Sequence, residues 1–369
     1  MKSICVMNEK NNEVVWENLA QKILSVLGKR IVLMTDDRAQ TKYYAEKLRD
    51  GIVKGCGTVF FQEGGFETEL LFVSQCLESD CSIYLFFDAA CRMSLYGANG
   101  KPLDEEEQRL IMQAAPDRCT ASKRKGQVIE FSRRNAYRLK AKEIGESFEN
   151  VAVSFSSPNE NLLRFVRQTA LSLGAVHRTK PSFCVSASGL NAVARDENGK
   201  VYTKEMLLNL CYACEIEQKK ELTVPFTASF LLTELARQNG VVLKRSFDGG
   251  DEPWQNDAIL LVFRVLHHMS RLGQSLSTLF GRYTQPTERK TVLPFHGSPD
   301  LLADTVACEE CVTDTNRFLY VKRKNASAVL SFSESTKRCC VEVQGCNAEI
   351  AQALSEDIEQ ALNLTFFEK

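Results

Sequence analysis

Along the 369-residue chain, short, mostly apolar runs alternate with longer stretches whose apolar residues recur every three or four positions. Residues 31–34, 58–61 and 82–87 are runs of the first kind and are predicted as buried strands. Residues 16–27, 43–53 and 67–77 carry the helical spacing, with Gly28, Gly51, Gly55 and Gly57 as punctuation. Strand and helix taken in turn at these lengths predict an α/β fold.

The theme recurs twice. A second unit opens with a strand over 151–155. A helix follows at Ser157-Pro158-Asn159-Glu160, where Ser157 is the expected cap, Pro158 suits the first helical position and Glu160 completes a capping box. Gly174 ends that helix, a strand lies near Phe183, Asp196-Glu197-Asn198-Gly199 makes a turn, and a helix runs from Lys204 to about Gln218. The third unit has a strand over 222–226, a helix over 228–238, a strand over 241–244, an irregular DGGDEPWQND segment, and a helix carrying Ile259, Leu260, Phe263 and Leu266. Residues 281–299, rich in Pro, Gly and Thr, read as a linker. Strands near 318–322, 328–332 and 340–343 then lead to an amphipathic helix with the apolar face Ile350, Ala351, Leu354, Ile358, Ala361 and Leu362. The architecture is three α/β units and a smaller α+β unit, in keeping with a length that allows roughly two to four domains.

Composition narrows the function classes. Apolar residues at 44% and charged residues at 25% are those of a globular chain rather than a disordered one. With 46 Lys and Arg against 47 Asp and Glu the net charge is -1, which argues against a dedicated nucleic-acid binder. The longest apolar stretch, 258–266, is broken by Arg264 and falls far short of the roughly 20 residues a bilayer requires, so no membrane partner is expected. The opening MKSICVMNEKNNE has no apolar core of a leader, and a cytoplasmic location is expected.

Several groups invite a chemical reading. The 14 Cys belong to a long chain in a reducing compartment, so Cys56, Cys76, Cys81 and Cys184 read as small core residues. Cys308 and Cys311, with Cys339, Cys340 and Cys346 following, have spacing that zinc would accept, although no metal is the favoured reading; Cys211 and Cys214 mark one face of an apolar helix. His267 and His268 read as a polar helix edge. From Lys123 to Lys142, basic residues (Lys125, Arg133, Arg134, Arg138 and Lys140 among them) face a single Glu130 and interleave with Phe131 and Tyr137; a solvated interdomain face is favoured over a polyanion site. The acidic run at Asp104 is the charged first turn of a helix.

Three stretches carry a specific resemblance. VLMTDDRAQTKYYAEKL, with Asp36 and Arg38, LYGANGKPLDEEEQRLI (95–111) and VARDENGKVYTKEMLLNL (193–210) are similar, in order and spacing, to segments of the α-D-phosphohexomutase superfamily, which includes phosphoglucomutase, phosphomannomutase and phosphoglucosamine mutase. The resemblance covers most of the chain and implies four domains, here 1–145, 146–219, 220–285 and 286–369, the middle two shortened. It also implies a reaction in which a phosphoryl group moves between two hydroxyls of a hexose phosphate through a bisphosphorylated intermediate.

That reaction uses four loops, and this sequence departs from the family in each. Where the resemblance implies a phosphoserine, Phe87 or Asp88 stands; Asp88 is a weak candidate for a catalytic carboxylate. Where it implies three Mg²⁺-binding carboxylates and an arginine, the chain has Ser186, Ser188, Leu190 and Asn191, so no metal cofactor is expected. The sugar loop corresponds to Gly249-Gly250-Asp251-Glu252-Pro253-Trp254, and the phosphate cradle to Phe332-Ser333-Glu334-Ser335-Thr336-Lys337-Arg338. The substrate-binding candidates are therefore Asp36, Arg38, Asp251, Glu252, Ser333, Ser335 and Thr336.

The expectation is a degenerate, shortened phosphohexomutase-like protein that lacks phosphotransfer and acts by binding a sugar phosphate or an active mutase relative. The alternatives are an active mutase with a rebuilt site using Asp88, Asp251 or Glu252, and a scaffold holding a polyanion on the basic segment.

Overall fold

The computed structural model describes residues 4–5, 13–88, 90–112, 126–247, 249–250, 252–295, 302–303, 305–314, 317–333 and 336–364. The chain divides into two compact units, Met1–Val193 with Asp257–Phe263, and Ala194–Asn256 with Arg264–Lys369.

The first unit begins with β1 (Ile4–Cys5), α1 (Glu13–Val26), β2 (Arg30–Thr35), α2 (Ala39–Lys54), β3 (Thr58–Gln62), α3 (Glu67–Leu77), β4 (Cys81–Asp88), β5 (Ala90–Tyr96), α4 (Glu105–Met112), β6 (Gln127–Glu130) and α5 (Arg134–Gly145). Its six-stranded sheet has the order β1-β5-β4-β2-β3-β6; β4, β2, β3 and β6 run parallel and β5 runs against its neighbours. Strand alternation sorts the core. Ile31 and Leu33 of β2 face α1 and α2 with Trp16, Ile23, Leu48 and Ile52, whereas Val32 and Met34 face α3 with Leu70 and Val73. Both faces are covered, which is why these strands read as continuous apolar runs. The chain then adds β7 (Ala152–Ser156), α6 (Glu160–Ser172) and β8 (Val176–Val185), with β7 and β8 parallel, and enters β9 (Ala192–Arg195).

The second unit continues with β10 (Val201–Tyr202), paired antiparallel with β9, then α7 (Lys204–Ile216), β11 (Glu221–Pro225), α8 (Leu231–Gln238) and β12 (Val242–Ser246). After α9 (Ala258–Leu272), whose residues up to Phe263 are counted with the first unit, come α10 (Leu276–Arg282) and β13 (Thr287–Pro294). β14 (Glu310–Asp314), β15 (Phe318–Arg323), β16 (Ala326–Ser333), β17 (Arg338–Gly345) and α11 (Ala348–Leu364) complete it. β11 and β12 form a parallel pair, and the last five strands make an antiparallel sheet ordered β13-β17-β16-β15-β14. α11 covers one face of that sheet, burying Ala351, Leu354 and Ile358 against Leu319, Leu330, Val341 and Val343.

Several expectations are corrected. Residues 287–294 are a strand, not a linker: β13 pairs with β17 along its whole length. Its Glu288, Lys290 and Pro294 hid it, but such residues suit the edge of a sheet. The basic segment belongs to the first sheet and its flanking helix, with the side chains of β6 exposed. β6 joins the sheet beside β3, and α5 turns Tyr137, Ala141 and Ile144 inward beneath its arginines; the apolar helical period was masked by the basic residues. The α6 cap is Asn159, whose side chain accepts from the Leu162 N–H, while Ser157 Oγ accepts from the Asn159 N–H at 3.2 Å. Cys81 is buried, but Cys76 and Cys184 are exposed and Cys56 is half-buried. His267 and His268 are buried rather than at a polar edge, because α9 is enclosed along most of its circumference.

Candidate functional site

In the first sheet the chain passes from β2 through α2 to β3 on one side, then from β3 through α3 to β4 on the other side of β2, so the order of connection reverses between β2 and β4. Open α/β sheets bind ligands at the carboxyl ends of the two strands that flank such a reversal. Asp36 and Arg38 follow β2 at that point, and Phe87 lies opposite at the end of β4.

The structure brings these three residues together. The Asp36 N–H donates to Leu85 O at 3.0 Å. Asp36 Oδ1 accepts from the Arg38 N–H at 3.2 Å and Oδ2 from the Phe87 N–H at 2.9 Å. Arg38 Nη1 donates to Phe87 O at 2.7 Å, and its guanidinium lies 5.7 Å from the Phe87 ring centroid. One carboxylate and one guanidinium thus hold both backbone polar groups of Phe87, one of the two residues that stand where the resemblance implies a phosphoserine. The Asp88 side chain lies outside the described residues. Its backbone pairs with that of Ala90.

Beside this point the ends of β2 and β3 form a closed polar network. Gly64 adopts φ +67, and a side chain there would collide with the Asp37 carboxylate, so the close approach requires glycine. Gly64 O accepts from Asn161 Nδ2 and from Arg134, and Asn161 also donates to Asp37. Glu69 is fully buried; it accepts from Gln62 Nε2 at 2.7 Å and pairs with Arg134 at 3.1 Å. Burial raises its pKa, which Arg134 and Gln62 only partly offset. Glu67, also buried, accepts from Tyr96 Oη at 2.6 Å, and burial raises its pKa too. On the rim Lys42 pairs with Glu63 at 2.6 Å. Sequence reasoning missed this network. The signal was faint: Glu67 and Glu69 stand in the first turn of α3, where acids are common, and Arg134 is one cation among many.

The loop implied to hold a cation does not fit one. Ser186 Oγ accepts from the Asn191 N–H at 3.1 Å, Ser188 Oγ accepts from the Leu190 N–H at 3.3 Å, and the two hydroxyls lie 3.1 Å apart. Leu190 is half-buried and Gly189, at φ +82, packs against Thr68. These serines close their own turn and supply no carboxylate, whereas Mg²⁺ needs an octahedron of hard oxygens with acidic ligands among them. Among the described residues no group of three or more His, Cys, Asp or Glu is placed to hold a metal, Cys308 and Cys311 included.

In the second unit, Glu252 is ion-paired with Lys219, which also lies 3.4 Å from Glu215. The Gly250 N–H donates to Gln255 Oε1 at 2.7 Å, fastening the loop; Asp251 lies outside the described residues. The segment matching the phosphate cradle is the β16–β17 hairpin. Ser333 Oγ accepts from the Thr336 N–H at 3.4 Å, Thr336 is exposed, and Phe332 packs on Phe295 at 4.6 Å between centroids. Ser335 lies outside the described residues. Asp36 and Arg38 therefore meet at one place, Ser333 and Thr336 share a hairpin, and Glu252 is held by a lysine.

No protein-family model matches the chain, and no curated protein does. Solved structures do. A phosphoglucomutase/phosphomannomutase family protein from Burkholderia thailandensis is 12% identical, with 99% of this chain and 97% of that one covered at a TM-score of 0.74. A candidate phosphomannomutase from Thermus thermophilus is 17% identical, with 98% and 97% covered at 0.65. The exocytosis-sensitive phosphoprotein parafusin, a phosphoglucomutase from Paramecium in its open form, is 10% identical, with 97% and 92% covered at 0.59. The chain has an α-D-phosphohexomutase-like fold, mixed α/β with several sheets, and among the described residues no helix is long and apolar enough to cross a membrane.

Proposed function

We propose that this chain is a phosphohexomutase-fold protein without phosphotransfer chemistry, which acts by binding a sugar phosphate or an active mutase relative. The observation that carries the reading is the β4–β5 junction. Where the resemblance implies a loop bearing a phosphoserine, the strands pair up to Asp88 and Ala90, and Asp36 and Arg38 hold Phe87 by its backbone. A phosphoryl donor there would need a hydroxyl free to approach substrate and a cation to neutralise the developing charge. The self-closed turn at Ser186 and Ser188 is a poor holder for that cation.

The test is a coupled assay for interconversion of glucose, mannose or glucosamine phosphates, with Mg²⁺ and a hexose bisphosphate activator. The expected turnover matches the protein-free blank. A rate near about 1 s⁻¹, ordinary for a working enzyme, would overturn the proposal. Calorimetry with the same sugar phosphates then separates ligand binding from partner binding.

A further inference from the structure

The second unit contains a cleft of about 540 Å³, within the size range of small-molecule sites. Its floor is the face of the five-stranded sheet turned away from α11. Glu288 pairs with Gln344 and Lys290 with Glu342, while Arg289 between them pairs with Val343, which is buried beneath α11. Successive side chains leave opposite faces of a strand. Glu288, Lys290, Glu342 and Gln344 therefore project into the cleft, and Arg289, although at its rim, leaves from the other face. One wall is the first turns of α7, with Lys204, Glu205 and Tyr212, and the other is the segment after β11 that includes Phe226.

The charges facing this space do not cancel. Lys290 and Glu342 are ion-paired with each other. That leaves the carboxylates of Glu205 and Glu288, both solvent-exposed, against Lys204. Glu288 receives one hydrogen bond, from Gln344 Nε2 at 3.3 Å, and its pKa is raised by burial and by the neighbouring Glu205 and Glu342. A carboxylate crowded by its own kind is stabilised by an incoming positive group. Independently, the wall contains Tyr212, 1% exposed, whose hydroxyl has no hydrogen-bond partner among the described residues. Phe226 and Val329 supply apolar surface beside these groups.

We infer that this cleft binds a small organic amine, its ammonium held between Glu288 and Glu205 and its apolar stem lying against Phe226 and Val329. The chemistry that decides it is the pair of exposed carboxylates in a concave, partly apolar space. The inference is independent of mutase activity, since none of these residues belongs to the four loops discussed above.

Calorimetry on the full chain tests it, with putrescine against 1,4-butanediol and glucosamine against glucose as probes at neutral pH. At least one amine is expected to bind, and at least tenfold more tightly than its uncharged counterpart. Glu288→Gln is expected to weaken that binding about tenfold, as loss of a hydrogen bond to a charged group does. The Glu205→Gln, Glu288→Gln double variant is expected to abolish it. Both residues are exposed and their negative charges repel, so the melting temperature of the unliganded variants does not fall below the native value, which separates lost binding from lost fold. The inference fails if neither amine binds, if the neutral counterparts bind as well, or if the double variant binds unchanged.

Discussion

The carboxyl end of β2 and β4 in the first unit and the cleft of the second unit contain the same residue types, arranged to opposite effect. At the first, Asp36, Arg38, Asn161, Arg134 and Glu69 are bound to backbone carbonyls, backbone amides and one another. At the second, Glu205 and Glu288 stand exposed over a hollow. A polar residue that satisfies its own chain stabilises a fold; one left open to solvent is available to a ligand. The place where an α/β sheet ordinarily binds its ligand is here the more firmly knitted of the two.

The sharpest way to break that contrast is Arg134→Ala. It leaves Glu69 fully buried with Gln62 as its hydrogen-bond partner and the charge of Arg138 as partial compensation, and removing one partner of a buried pair costs about 3 kcal/mol. Arg134 is partly exposed, which places the expected loss at the lower end, about 2–3 kcal/mol in urea denaturation at neutral pH. The loss shrinks in acid, because Glu69 then protonates and no longer needs a cation. A loss indistinguishable from zero would show that the network is decoration. Asp36→Ala comes next. It removes the acceptor for the Arg38 and Phe87 amides, at about 1–2 kcal/mol, and hydrogen exchange should show the Phe87 amide losing protection.

How far the sequence foretold these two places follows from the same physics. Apolar runs such as 31–34 stood out because both faces of the first sheet are covered, and Asp36 and Arg38 were marked because the segment that contains them resembles a phosphohexomutase element. β13 and β14, the edges of the last sheet, were missed: an edge strand needs no apolar alternation, so Thr287–Pro294 looks like loop. The cleft was missed for a related reason. Glu205 and Glu288 lie far apart in the chain and come together only when β13 pairs with β17 beside α7, a long-range fact that no local spacing encodes. The Glu69–Arg134 pair is equally non-local, and burial of a glutamate cannot be inferred from its position in a first turn. His268 was misjudged because a polar side chain on α9 looks like a boundary, whereas it is buried within 3.2 Å of Glu215 beside Arg264.

A smaller effect separates the two places by pH. Glu67 is buried and its pKa lies above the ordinary 4.5, with burial the largest cause. A carboxyl whose folded pKa is raised contributes stability that is present below the unfolded pKa and lost as pH rises through the folded one. Glu67→Gln removes that loss and keeps an acceptor for Tyr96 Oη. The variant's stability relative to the native chain should therefore climb as pH rises above the ordinary carboxylate range. A difference that stays flat or falls with pH would mean that Glu67 is held ionised at no cost, contrary to its burial.

The smallest expected effect on stability is also the most discriminating for the cleft. Lys290→Ala breaks the pair with Glu342, whose side chains are 65% and 38% exposed. Exposed pairs of this kind contribute about 0.5 kcal/mol, so the melting curve should scarcely move. Binding should move in the other direction: removing the lysine frees a third carboxylate, Glu342, on the face that already presents Glu288, and affinity for an amine probe should rise severalfold. A large loss of stability would mean that the cleft's charges hold the fold together as those around Glu69 do. Unchanged or weakened amine affinity would mean that the negative face is not what a ligand senses. Stability unmoved and affinity raised is the combination that only an open, ligand-directed arrangement of charges produces.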